Sequence, residues 1–203
     1  MYQKYAKRWL DLIFSVVLLL ALLPVGILLA LLLCLEHKGS PFFFQQRPGR
    51  YERIFSICKF KTMRETHDPN GQLLPDHLRT TKMGVFLRKT SLDELPQLWN
   101  VAKGDLSFIG PRPLLVRYLP YYSREEKIRH SVRPGITGLA QISGRNLLNW
   151  DDRLSYDITY VENISLKNDI LIFLKTLKKV AKSEGVVVAP GTLLLDLDEY
   201  RKK

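Results

Sequence analysis

The chain is poor in the residues that build disulfide frameworks and metal clusters. It has two cysteines in 203 residues. Cys34 falls inside an apolar run and Cys58 follows it. Neither suits a disulfide, and two thiols fit a reducing cytosol. The four histidines, at 37, 67, 77 and 130, lack metal-ligand spacing, which argues against a structural zinc site. There is no G-x-x-x-x-G-K-S/T loop and no G-x-G-x-x-G turn, so the common glycine loops for nucleotides are excluded. Internal repeats and low-complexity segments are missing too. Acidic residues are scarce, 20 against 31 basic, giving a net charge of +11. That balance suits nucleic acid, an anionic membrane surface or phosphorylated substrates.

What the chain does have is a long apolar run. Leu12 to Leu35 is 24 residues without a charge. A spanning helix needs about 20. The run favours membrane and phosphate partners over nucleic acid. Pro24 sits at its centre and would bend or break a helix, because its ring clashes with the carbonyl of Leu20. The arms, Leu12 to Leu23 and Val25 to Leu35, are each about 17 Å long, roughly half a hydrocarbon core. Basic residues flank both ends: Lys4, Lys7 and Arg8 before, Lys38, Arg47, Arg50, Arg53, Lys59 and Lys61 after. Positive charge marks the cytoplasmic side. A re-entrant hairpin satisfies both flanks, whereas a straight span with a proline kink strands one of them outside. A cleaved signal peptide fits poorly, since the run is long and no small-x-small site follows. Tyr2, Tyr5 and Trp9 suit the headgroup interface.

Removing the anchor leaves about 165 residues, enough for one domain. The pattern predicts an α+β fold, a mostly helical small globular domain with short strands. Residues 1–38 are read as the basic lead and re-entrant helix-break-helix, 39–185 as a cytoplasmic catalytic domain with interfacial amphipathic helices, and 186–203 as a tail. Phe42 to Phe44 and Ile54 to Ile57 predict short strands around Arg47-Pro48-Gly49-Arg50. Helical periodicity runs from Lys82 to Asn100 and stops at Gly104. Ser123 and Glu126 form a capping box for a short helix. Asp152 to Tyr160 predicts a helix, and Asn168 to Glu184 an amphipathic one with Lys175, Lys178, Lys179 and Lys182 on its polar face. Asp196-Leu197-Asp198, a D-x-D in the tail, reads as incidental.

Three features carry chemistry. The first is Ser91-Leu92-Asp93-Glu94-Leu95-Pro96. It reads as a capping box. Alternatively Pro96 opens the helix, and amide donors keep Asp93 ionised just ahead of it. An ionised carboxylate can attack phosphorus. The second is Gly110-Pro111-Arg112-Pro113, where Pro111 and Pro113 stiffen the delivery of a guanidinium that suits phosphate oxygens. The third is a scattered basic set, Lys59, Lys61, Arg64, Arg88, Arg133 and Arg145.

Lys59 to Arg64, Arg88 to Asn100, Gly104 to Pro113 and Arg133 to Gly138 together resemble the bacterial sugar transferase family, the monotopic phosphoglycosyl transferases. The resemblance runs in order over nearly the whole chain. By size it is most similar to members that open lipid-linked oligosaccharide assembly for bacterial N-linked protein glycosylation. It implies transfer of a phospho-sugar from a UDP-sugar, with UDP-N,N'-diacetylbacillosamine one candidate, to undecaprenyl phosphate, releasing UMP with Mg²⁺. It implies Asp93 as nucleophile and Mg²⁺ ligand, Glu94 as its partner, and Arg112, Lys59, Arg88, Arg133 and Arg145 around the diphosphate. Lys7 and Arg8 would meet the acceptor phosphate or simply anchor the interface. It also implies a monotopic protein of the bacterial inner membrane, with the catalytic domain cytoplasmic. Many members carry a serine before the central proline; this chain has Leu23. Two other readings stay open: one-step transfer without a covalent intermediate, and a membrane adaptor that binds anionic lipids.

Overall fold

A computed structural model describes residues 2–144, 148–182 and 195–202. After a π-helical turn at Tyr2–Ala6, helix α1 spans Lys7–His37. Helical backbone runs through Pro24. No interruption of the helix marks the bend or break expected at Pro24. A proline removes one hydrogen bond, and apolar surroundings give the other backbone groups no partner outside the helix. The middle of α1 is exposed and apolar, with Leu20 68% and Leu28 57% accessible.

Both ends of α1 are bonded to the same domain. Tyr2 and Lys7 donate to Asp169, Arg8 donates to the carbonyls of Val101 and Ala102, and Asp11 accepts from the Phe108 amide. At the other end Glu36 accepts from Thr81, and the His37 ring lies 2.9 Å from the Lys61 carbonyl. Leu29 and Leu33 pack on Phe60 and Leu87. A straight helix of this length would be about 46 Å long.

The domain is mostly helical, with two small sheets. Strands β1 (Phe42–Pro48) and β2 (Ile54–Phe60) form an antiparallel hairpin. It is longer than the apolar residues alone indicate. α2 (Asp76–Arg79) is a single turn. The pattern from Lys82 to Asn100 resolves into two helices, α3 (Lys82–Thr90) and α4 (Gln97–Lys103). Ser91 at φ 58° ends α3, and Gly104 at φ 94° ends α4. Ser91 makes no capping bond, so the capping-box reading gives way to the one in which Pro96 opens the helix.

β3 (Ser107–Ile109) pairs in parallel with β4 (Gly135–Thr137). This pairing needs glycine. A Cβ at Gly135 would sit 2.1 Å from the Gly110 nitrogen, and one at Gly138 2.1 Å from the Gly110 carbonyl oxygen. Helices α5 (Leu139–Ser143), α6 (Trp150–Glu162) and α7 (Leu166–Ala181) follow. The Ser123–Glu126 box forms reciprocally and opens a 3₁₀ segment at Glu126–Ser131. The far end of the tail belongs to the core. Leu197, in α8 (Leu197–Tyr200), is buried with Leu114, Tyr118, Trp150 and Leu154. Asp196 accepts from Tyr118 and pairs with Arg117, which gives the D-x-D a fastening role. The 185/186 boundary lies outside the described residues.

His130 gives a pH prediction. It is buried against the Tyr122 ring, and its Nε2 has no described partner. Burial first, then the Arg129 charge, push its pKa down to about 4, against a hydrogen bond with the Gly49 backbone. The unfolded chain then binds this proton near pH 6.5 and the folded one only near 4. Stability from this group is present above about 6.5 and is lost as pH falls towards 4, by about 3 kcal/mol. Urea midpoints of wild type and His130→Gln, compared at pH 7 and pH 4, should show a smaller acid loss in the variant.

Candidate active site

Asp93 and Glu94 lie on a 3₁₀ turn, Leu92–Glu94, wedged between α3 and α4. The turn is held by tertiary contacts rather than by a side-chain cap. Leu92 and Leu95 pack on the cluster of Leu29, Leu33, Phe60 and Leu87, so the end of the membrane helix supports the acidic pair directly.

The two carboxylates are treated differently. Glu94 Oε1 accepts from Lys59 Nζ at 2.7 Å and from Arg112 Nη2 at 2.7 Å. Burial opposes its charge, yet Arg112 and then Lys59 hold its carboxyl well below the usual carboxylate range. Asp93 has no described ion-pair partner. Burial first, then repulsion from Glu94, push its pKa up to about 6, against the pull of Lys59, Arg112 and Arg88. Asp93 sits ahead of α4 as expected and stays ionised at neutral pH, but desolvation outweighs any lowering of its pKa by the helix amides. The result is an ionised, poorly paired carboxylate beside a fixed cation pair, which is what an attacking oxygen requires.

Strand β2 delivers Lys59. The loop after β3 delivers Arg112, between the buried Pro111 and Pro113. Gly110 donates to the Thr137 carbonyl, and the Pro111 carbonyl accepts from Gly135. Arg88, on α3, donates to Thr62 Oγ1 at 3.0 Å and stands close enough to stabilise the Asp93 charge. Asp93, Glu94, Lys59, Arg88 and Arg112 are thus gathered in one place, the grouping that the family resemblance implies.

Others go elsewhere. Lys7 is paired with the buried Asp169 at 2.5 Å. Arg8 caps the carbonyl end of α4 with its two terminal nitrogens, and Arg133 Nε bonds the Gly104 carbonyl at 2.8 Å. Cations at a helix C-terminus answer its dipole. Lys7, Arg8 and Arg133 are engaged in these fastening contacts. Arg145 lies outside the described residues.

Two arginines near Arg112 were not singled out by sequence. Burial first lowers the pKa of Arg47, to about 10, with the nearby Arg112 charge adding to it. Burial likewise lowers that of Arg153, on α6, opposed by Asp157 and aided by Arg112. In sequence Arg47 reads as one of the basic residues after the apolar run, and Arg153 carries no signal. Only the packing of α6 and β1 around the Arg112 loop brings them together. Cationic groups that crowd one place despite mutual repulsion suit an anion.

Magnesium takes one or two carboxylates and fills its shell with water and phosphate oxygens. Asp93 offers a carboxylate of that kind, while Glu94 is tied by two cations. The described residues contain no cluster of three His, Cys, Asp or Glu that forms a cage. The donor set fits an ion held jointly with a diphosphate.

A mostly exposed apolar helix and a small α+β domain thus carry a basic site around one poorly paired carboxylate. The bacterial sugar transferase model matches residues 2–183, and the chain belongs to that family. It is a transferase. It is 48% identical over 181 residues to the uncharacterized sugar transferase EpsL of Bacillus subtilis (strain 168), covering 89% of each chain. It is 37% identical over 200 residues to undecaprenyl-phosphate galactose phosphotransferase of Salmonella typhimurium (strain LT2), covering 90% of this chain and 42% of that one. To UDP-N-acetylgalactosamine-undecaprenyl-phosphate N-acetylgalactosaminephosphotransferase of Aeromonas hydrophila it is 36% identical over 189 residues, covering 89% and 45%. The chain therefore spans under half the length of these last two relatives.

Proposed function

We propose that this protein transfers a phospho-sugar from a UDP-sugar to undecaprenyl phosphate and releases UMP. The observation that carries this reading is the division of labour between the two carboxylates: Glu94 orders Lys59 and Arg112, and Asp93 is left to react. Asp93 attacks the sugar-bearing phosphorus. A carboxylate oxygen–phosphorus bond forms, the bond to the bridging oxygen breaks, and UMP leaves. An oxygen of the lipid phosphate then attacks the same phosphorus and frees Asp93. Arg112, Lys59 and Arg88 face the developing charge on phosphorus, which fixed cations stabilise without reorganising. Magnesium, held by Asp93 and the diphosphate, would supply charge neutralisation.

The relatives' names favour galactose or N-acetylgalactosamine donors. UDP-N,N'-diacetylbacillosamine belongs in the same panel, as the donor for a first membrane step of glycoconjugate assembly. With no acceptor lipid, the right UDP-sugar should yield up to one equivalent of UMP per enzyme. No release with any donor, in detergent or in vesicles, would overturn the reading. Release only when acceptor is present would favour one-step transfer.

The bonding of both ends of α1 to one domain supports a re-entrant, monotopic anchor on the cytoplasmic face of the inner membrane. Cysteines introduced at Lys4 and at Lys89, in a Cys34→Ala, Cys58→Ala background, should react with an impermeant thiol reagent from the same side of sealed vesicles. Reaction from opposite sides would contradict the anchor. α7 keeps Leu166, Ile170, Leu174 and Leu177 exposed beside its lysines, which suits the same surface.

A further inference from the structure

Behind the Arg112 loop lies a buried ionic group that the transfer reaction does not touch. Arg129 and Asp157 are 3% and 2% accessible. Arg129 donates to Asp157 Oδ2 twice, from Nε at 3.1 Å and Nη2 at 2.8 Å, and from Nη1 to the Tyr122 hydroxyl at 3.3 Å. The same Nη2 also donates to the main-chain carbonyl of Arg112 at 2.7 Å. A buried ion pair adds little net stability over apolar packing of the same volume. Its geometry is therefore informative, and one of its donors is aimed at the backbone of the residue that holds Glu94.

The surroundings explain why the loop needs that donor. Pro111 and Pro113 have no N–H with which to fasten it. Gly110 and Pro111 are already bonded to Thr137 and Gly135. Arg112 is the next residue, and Arg129 holds its carbonyl. Its side chain, 45% accessible, projects from this fixed base to Glu94. Asp157, on α6, sets the Arg129 fork from behind.

We propose that Arg129 and Asp157 form a positioning pair that fixes the Arg112 backbone, and through it the guanidinium that orders Glu94 and meets the substrate's phosphoryl group. This rests on the transferase reading. Neither residue touches substrate; both act through Arg112.

The test is rapid-quench measurement of UMP release by the full-length protein in lipid nanodiscs. Arg129→Lys keeps the charge opposite Asp157 but lacks the fork that also reaches the Arg112 carbonyl. Positioning predicts an unchanged burst amplitude per folded enzyme, with a burst rate slowed by about 10- to 100-fold. It also predicts that Arg129→Lys adds little further slowing in an Arg112→Lys background, because both act on one group. A reduced amplitude with a wild-type rate, or multiplicative slowing in the double variant, would assign the pair to the core alone and overturn the proposal. If Arg129→Lys does not accumulate folded, Tyr122→Phe removes one contact of the same fork and is read by the same two outcomes. Failure of wild type to release UMP would instead refute the transferase reading, so the two failures are distinct.

Discussion

Asp93→Asn is expected to abolish the UMP burst and to lower steady-state transfer by at least about a thousandfold, as loss of a covalent nucleophile does. Asparagine keeps the shape and removes the attacking charge. Stability should not fall with activity. Burial and Glu94 push the Asp93 pKa up to about 6, above its ordinary value, so holding it ionised at neutral pH costs the folded protein stability relative to the unfolded chain. A neutral amide relieves burial of a charge and its repulsion from Glu94. The thermal midpoint of Asp93→Asn should therefore equal or exceed that of wild type, a trade of stability for activity. A variant that loses activity only because it unfolds would contradict this account.

Arg112→Lys is expected to slow the burst by about a hundredfold, within the range for removing one preorganised donor. A guanidinium can hold Glu94 with one nitrogen and present others to phosphate oxygens. An ammonium is a point charge on a flexible stem. With lysine at 112 the Glu94–Lys59 bond survives, so the turn should keep its shape and donor binding should weaken much less than the rate. Burst rate and KM for the UDP-sugar, measured together, separate these effects. Equal losses in both would mean that Arg112 binds the ground state and transition state alike.

Much of this was legible along the chain. The apolar run indicates the long, exposed helix α1 without tertiary information, although Pro24 does not interrupt it. The acidic pair ahead of Pro96 and the proline-flanked Arg112 point to phosphate chemistry as local motifs. What stayed hidden depends on contacts distant in sequence. Periodicity continues from Lys82 to Asn100 although α3 buries Leu87 in one cluster and α4 buries Val101 in another; the break at Ser91 is a backbone conformation that spacing does not encode. The β3–β4 pairing joins residues 107 and 135, and only the crowding of Gly110, Gly135 and Gly138 reveals it. Lys7 and Arg8 read as phosphate contacts or interfacial anchors, and their bonds to Asp169 and to the end of α4 lie beyond what local sequence shows. Arg129 reads as a charge on a short helix, and nothing nearby announces Asp157 as its partner.

In the proposed reaction, one carboxylate becomes covalently bonded to a phosphorylated sugar. Intact-mass measurement of the protein, mixed with its UDP-sugar and denatured before acceptor is added, tests it most directly. The predicted spectrum shows a single added phospho-sugar, absent from Asp93→Asn and lost from wild type once undecaprenyl phosphate is supplied. A wild-type enzyme that turns over while its mass never changes would contradict it.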